Sequence, residues 1–161
     1  MTSPFAGPIR LLVSSAEAEA RTERSDSIEA EHLLLALAAQ QGTPAQRVLQ
    51  GAGLDQQAIR SALSAEFERS LAGAGVSLPG GRVPSSSPDL TRKPRIGASA
   101  KWALHRAVVA AKARKASKLE PLHVLIGVLS AEVGTVPRSL DVAGVGRDEL
   151  LARAESAFTT G

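Results

Sequence analysis

One stretch of this chain is written twice. Ile28-Glu29-Ala30-Glu31-His32-Leu33-Leu34-Leu35-Ala36-Leu37 returns, at a constant offset and without a gap, as Leu119-Glu120-Pro121-Leu122-His123-Val124-Leu125-Ile126-Gly127-Val128. Each copy places a polar turn before a His and then an almost wholly apolar run. That is the pattern of a helix buried on most sides. The same offset carries the flanking stripes. Ile9, Leu12, Val13, Ala16 and Ala20 become Ala100, Ala103, Leu104, Ala107 and Ala111, while Leu49, Ile59 and Phe67 become Leu140, Leu150 and Phe158. A doubled pattern of this kind confines the fold to a tandem repeat. One copy alone makes a small core, so the two are expected to pack face to face about a pseudo-twofold axis.

Each copy reads as four helices. In the first, the stripe from Ile9 to Ala20 marks a helix ending near Arg24, with Ser25-Asp26-Ser27 as a turn. Glu29-Ala30 opens the second helix, Glu31 to about Gln40, with acids at the positive end of its dipole. Thr43 as N-cap and Pro44 at the first helical position start a short third helix, to about Gln50. Asp55 caps a fourth, Gln56 to about Leu71, with Ile59, Leu63 and Phe67 on one core-facing side. His32 and His123 enter buried helices at equivalent places, where a ring nitrogen is expected to bond a backbone group across the turn. Residues 72–95 are rich in Gly, Pro and Ser and read as a flexible linker. The expectation is an all-α fold of eight helices: repeat one about 5–71, linker 72–95 and repeat two about 96–159, forming one double domain over 1–161.

Aromatic residues make up only 2% of the chain against 43% hydrophobic. The core must therefore be built from Ala, Leu, Val and Ile, which suits close-packed helices better than a sandwich of strands. There is no Cys, which excludes disulfides, thiolate metal sites and Cys nucleophiles and fits a reducing cytoplasm. No apolar run is long enough to span a membrane, and the first residues lack the basic and apolar regions of a signal peptide. No Walker A motif, Gly-x-Ser-x-Gly elbow or metal-ligand spacing occurs. No enzyme, metal or cofactor is expected. The acids read as lying on exposed helix faces or at helix starts.

Charge is split along the chain. Residues 1–80 hold 6 Arg against 9 acids, and residues 81–161 hold 13 Lys and Arg against 7 acids. The basic half, with Arg92, Lys93, Arg95, Lys112, Arg114, Lys115 and Lys118, leaves nucleic-acid or regulatory binding as an alternative. A solvated face that balances the acidic half is the plainer reading. Trp102, the sole Trp, replaces Leu11 beside the core stripe. It reads as partly buried against the other repeat, or else as a partner contact.

At the doubled His motif the chain resembles the Clp amino-terminal domain, the double four-helix module at the front of Clp-type AAA+ unfoldases, and most closely the ClpC type. That family's repeat reads Gly-Thr-Glu-His-Ile/Leu-Leu-Leu-Gly-Leu after a helix with spaced alanines. The similarity extends over about residues 5–70 and 95–159. It implies a recognition module for substrates and adaptors, here without the ATPase modules: a non-enzymatic binding protein for peptides or protein partners, among them an unfoldase, its substrates or its adaptors.

The resemblance also implies sites. In ClpC-type modules the Glu of each Thr-Glu-His motif helps bind phosphorylated arginine. Glu31 keeps that place, with Ala30 for the Thr, whereas Pro121-Leu122 replaces Thr-Glu in the second copy. A Leu supplies neither charge nor hydrogen bonds to a guanidinium, so the inherited chemistry is lopsided. The same modules bind antibacterial cyclic peptides on an apolar surface whose matching positions are Phe5, Arg10 and Val13 in the first repeat and Ile96, Lys101 and Leu104 in the second. Lys101 matches the family's Lys, while Ile96 and Thr2 stand where aromatic residues are usual. Sequestration of such peptides, as a resistance function, is the alternative this implies.

Overall fold

Two helices of the doubled motif form the centre. In the computed structural model, which describes residues 7–75 and 92–158, α2 (Ala30–Ala39) and α6 (Pro121–Leu129) touch each other, and Leu33 to Leu37 and Val124 to Val128 are buried throughout. Helices so apolar have no face to offer water and must be enclosed by others. Around them lie α1 (Pro8–Thr22), α3 (Pro44–Gly51) and α4 (Gln56–Gly73) from the first repeat. From the second come α5 (Ala98–Ala113), α7 (Thr135–Ala143) and α8 (Arg147–Ser156). Eight helices are thus present among the described residues, as the periodicity implies. Residues 76–91 of the expected linker, and Phe5, lie outside the described residues.

The contacts obey a pseudo-twofold exchange. α1 packs on α2 as α5 packs on α6. Between repeats, α2 meets α5 as α6 meets α1, and α4 meets α7 as α8 meets α3. A single hydrophobic core runs through both repeats, from Ile9, Leu12 and Leu34 to Leu125, Leu140 and Leu150. Local signals hold in detail. Thr43 Oγ1 accepts from the Gln46 N–H at 3.2 Å and Asp55 Oδ1 from the Ala58 N–H at 2.7 Å, each capping a helix start. Arg24 and Lys115, at equivalent places after α1 and α5, both adopt positive φ, 57° and 55°.

Three expectations need correction. Ser27 is not only part of a turn: β1 (Ser27–Ile28) pairs in parallel with β2 (Arg95–Ile96), so the second repeat is already engaged at Arg95. Phe67 is not a core residue but 40% exposed, because the buried stripe of α4 runs through Ile59, Ala62 and Glu66 and leaves Phe67 to one side, whereas its counterpart Phe158 packs against the core. Two acids are buried rather than surface-lying. Glu19 of α1 accepts from Gln56 Nε2 at 2.7 Å and from Arg60 at 2.6 Å in α4. Glu66 of α4 accepts from Arg138 of α7 at 2.7 Å and from Ser70. Each is paired, as burial of charge requires.

Gly127 sets the approach of α6 to α5: a Cβ there would meet the carbonyl oxygen of Ala103 at 2.1 Å. Its counterpart is Ala36, so this close helix-to-helix approach belongs to the second repeat. Gly127→Ala is expected to destabilise the protein by about 1–3 kcal/mol through overpacking, read as a lowered denaturant midpoint with an unchanged slope.

Candidate functional site: a groove between the repeats

Where β1 meets β2, the N-termini of α2 and α5 converge, and their free N–H groups need acceptors. Glu29, the N-cap of α2, supplies one across the repeat boundary. Its carboxylate accepts from the Ser99 N–H at 3.2 Å, from the Ser99 hydroxyl, and from the Ser27 hydroxyl at 2.7 Å. Ser99 Oγ in turn accepts from the Ala30 N–H at 2.9 Å. Gly97 makes room: a Cβ there would lie 1.9 Å from Glu29 Oε1. Burial works against charge on Glu29, but the hydrogen bonds from Ser99 and Ser27, helped by His32, outweigh it and lower its pKa below 4.5.

This junction is one end of a groove of about 560 Å³. α2 contributes Glu31, α5 contributes Trp102 and Arg106, and the segment after α6 contributes Glu132, Val133 and Val136. Trp102 is 60% exposed, so it stands as an open wall of the groove rather than being covered by the other repeat. Glu31 is half-buried beside it. Its carboxylate has no ion pair among the described residues. Burial raises its pKa above 4.5, against the pull of its own backbone N–H and of His32. A desolvated carboxylate next to an exposed indole is a receptor for a cation carried on an apolar or planar group.

The histidines at the two helix entrances share one role and differ in another. The Glu29 N–H donates to His32 Nδ1 at 2.9 Å, and the Glu120 N–H to His123 Nδ1 at 3.0 Å. This is the expected backbone bond, with imidazole in the place of the usual Glu or Gln of a capping box. His32 Nε2 then meets Glu23 at 2.9 Å. Burial opposes charge on this ring, but the hydrogen bond and charge of Glu23, with Glu31 and Glu29 behind, raise its pKa above 6.5. In the second repeat Arg114 replaces Glu23. There the His123 ring packs on Phe158 at 4.7 Å between centroids, Arg114 lies 4.3 Å from the centre of that Phe ring, and His123 Nε2 has no hydrogen-bond partner among the described residues. Burial and the Arg114 charge lower the His123 pKa below 6.5, against Glu120.

The other residues singled out from sequence lie elsewhere. Arg10 and Lys101 are exposed, Val13 and Ile96 are half-buried against the core, and Leu104 is only 7% exposed within it. None of the five lines the Glu31 groove. Leu104 therefore offers little surface to a ligand. Glu132, Val133 and Arg106 went unnoticed in the sequence, since only the fold brings the end of α6 to α2 and α5. No group of three His, Asp or Glu converges as a metal site among the described residues. No described helix is long and apolar enough to cross a membrane.

Residues 5–92 match the family model of the Clp repeat N-terminal domain. The chain belongs to that family. The match covers repeat one, and the structure extends it to repeat two. The fold is similar to that of the N-terminal domain of the caseinolytic protease associated chaperone ClpD from Arabidopsis thaliana, with a TM-score of 0.72 and 20% identity over 96% of this chain and 94% of that one. It is also similar to the Hsp104 N-terminal domain from Candida albicans, with a TM-score of 0.66 and 18% identity over 99% and 94%. No curated protein matches the sequence.

Two pH responses follow for this Clp N-terminal domain. A carboxylate whose pKa is raised on folding weakens the folded state at neutral pH. Glu31→Gln is therefore expected to raise Tm at pH 7.5 and to lose that advantage as pH falls well below 4.5, where Glu31 becomes protonated in both states. For His123 the same cause, burial, acts on a base: its pKa is lowered on folding, so the stability it confers is present above 6.5 and lost as pH falls through the lowered value. His123→Gln keeps an acceptor for the Glu120 N–H. Its Tm is expected to fall less than the parent's between pH 7.5 and pH 5.

Proposed function

We propose that this chain is a protein-interaction module whose groove takes a segment of a partner protein, with Glu31 receiving a guanidinium or ammonium group and Trp102 the apolar or planar group beside it. The observation that carries this reading is the half-buried Glu31 carboxylate, with no ion pair among the described residues, in a groove that the exposed Trp102 also lines. A charge held in such a place weakens the fold and is matched by an incoming opposite charge. The groove has the volume of a pocket for a few side chains. In Clp unfoldases this domain receives substrates and adaptors, so the unfoldase machinery, its substrates and its adaptors are the partners in view. The second entrance presents Leu122, 4% exposed, in place of a carboxylate. One cation-binding site per chain is the stoichiometry this supports.

Trp102 is the only Trp, so its fluorescence reports the groove directly. Short peptides with one Arg beside a Leu or Phe are expected to shift its emission and bind. Replacing the Arg by citrulline, which keeps shape and loses charge, is expected to weaken binding about tenfold or more, in line with the strength of charge-assisted hydrogen bonds. Glu31→Gln should erase the difference between the two peptides. Affinity for the Arg peptide should also fall on acidification at a pH above the ordinary Glu range. Equal binding of the Arg and citrulline peptides by the parent protein would overturn the reading.

A further inference from the structure

The two histidines at the helix entrances face one electrostatic problem, and only one of them has an answer to it. In each, Nδ1 accepts a backbone N–H, so the neutral ring carries its hydrogen on Nε2 and its one basic lone pair is already in use. A further proton must land on Nδ1, where it confronts the N–H of Glu29 or Glu120 and breaks the bond that starts the helix. For His32 the resulting charge has the Glu23 carboxylate 2.9 Å from Nε2. His123 is only 1% exposed. Its Nε2 has no partner among the described residues, and Phe158 packs against the ring.

The charges around His123 give no relief. Those that bear on the ring are Glu120, at the cap of its own helix, and Arg114, at the end of α5. None bears on it from α1, α2, α3, α7 or α8 among the described residues, and the exposed Lys115 and Lys118 before α6 do not either. Arg114 opposes a charge on the ring, lies over Phe158, and donates from Nη2 to the Glu155 carbonyl of α8 at 3.3 Å. A buried charge without an acceptor is costly, so the proton is admitted only if the ring can turn toward water. Phe158 is the group in the way. It lies just past the last turn of α8, and the end of an element opens at less cost than its middle.

We propose that the contact between His123 and Phe158 is an acid-operated latch. A proton on Nδ1 turns the imidazole out of the entrance of α6, unseats Phe158 and frees the end of α8. Leu150 and Ala154, both buried, hold the rest of that helix in the core. Imidazole is the side chain suited to such a switch, since its charge changes in the mildly acidic range. The first repeat has no equivalent latch, because Glu23 answers His32 and Phe67 stands exposed. The device is separate from the Glu31 groove, which none of His123, Phe158 and Arg114 lines.

The test uses the full chain with para-fluorophenylalanine in place of Phe, read by fluorine NMR. The Phe158 resonance is assigned with Phe158→Ala, and the His123 ring is titrated in the same samples. Between pH 7.5 and pH 4.5 the Phe158 resonance is expected to move to the position of a solvent-exposed ring. Its midpoint should coincide with the titration of His123, while the Phe67 resonance and the helical circular dichroism stay unchanged. His123→Gln, whose side chain accepts from the Glu120 N–H and takes no proton, should keep Phe158 seated throughout. By reciprocity, Phe158→Ala should raise the proton affinity of His123 by about threefold or more. A Phe158 resonance that stays in place down to pH 4.5, or moves equally in His123→Gln, would overturn the proposal. So would movement only together with loss of helix, or an unchanged His123 titration in Phe158→Ala.

Discussion

One carboxylate serves two helices at the edge where β1 of the first repeat meets β2 of the second. Glu29 begins α2 and at the same time accepts the free N–H at the start of α5 through Ser99. Two helix N-termini pointed at one another would otherwise set like partial charges face to face. A negative group between them turns that repulsion into attraction, and the Ser99 hydroxyl closes the remaining gap by accepting from Ala30. The parallel pairing of Ser27–Ile28 with Arg95–Ile96 fixes the same place along the backbone. The groove exists because this junction brings Glu31 and Trp102 together from different repeats.

The pseudo-twofold copy of this junction is built differently. Ala30 and Ser99 correspond to Pro121 and Pro8. Proline has no N–H and suits the first turn of a helix, so these two positions need neither the donor nor the acceptor. The difference continues inward: Glu31 becomes Leu122, and the Glu23 partner of His32 becomes Arg114 stacked against Phe158. The first exchange puts hydrocarbon in place of a charge, and the second reverses a charge and sets it over an aromatic ring. The core positions under both entrances stay alike in kind, which is why the scaffold tolerates such unlike surfaces.

The fold was legible because its signals are local or periodic. The offset between His32 and His123, the Thr43 and Asp55 caps and the all-apolar α2 and α6 each follow from a few neighbouring residues. Two-residue strands carry no periodicity, so Arg95 read as the last residue of the linker. Phe67 continues a spacing of four from Ile59 and Leu63, but the buried stripe follows Ala62 and Glu66 instead, because Glu66 meets Arg138 of α7. Glu19 and Glu66 look like surface acids until their partners arrive from α4 and α7, far along the chain. The groove was half visible: Glu31 and Trp102 stood out separately, one by its motif and one by being unique. Their meeting, and the part taken by Glu132 and Val133, depend on how the repeats dock.

The uneven charge of α1 and α5 has a further physical consequence. A molecule with true twofold symmetry has no electric dipole perpendicular to its axis, because the two halves cancel. Here α1 balances Arg10 and Arg21 against Glu17 and Glu19, while α5 holds three cations and no acid. The cancellation fails, and the molecule keeps a lateral dipole that turns it as a charged partner approaches. Encounter is therefore oriented before any contact forms, and that orientation fades as salt shortens the reach of the field to about 8 Å at physiological ionic strength.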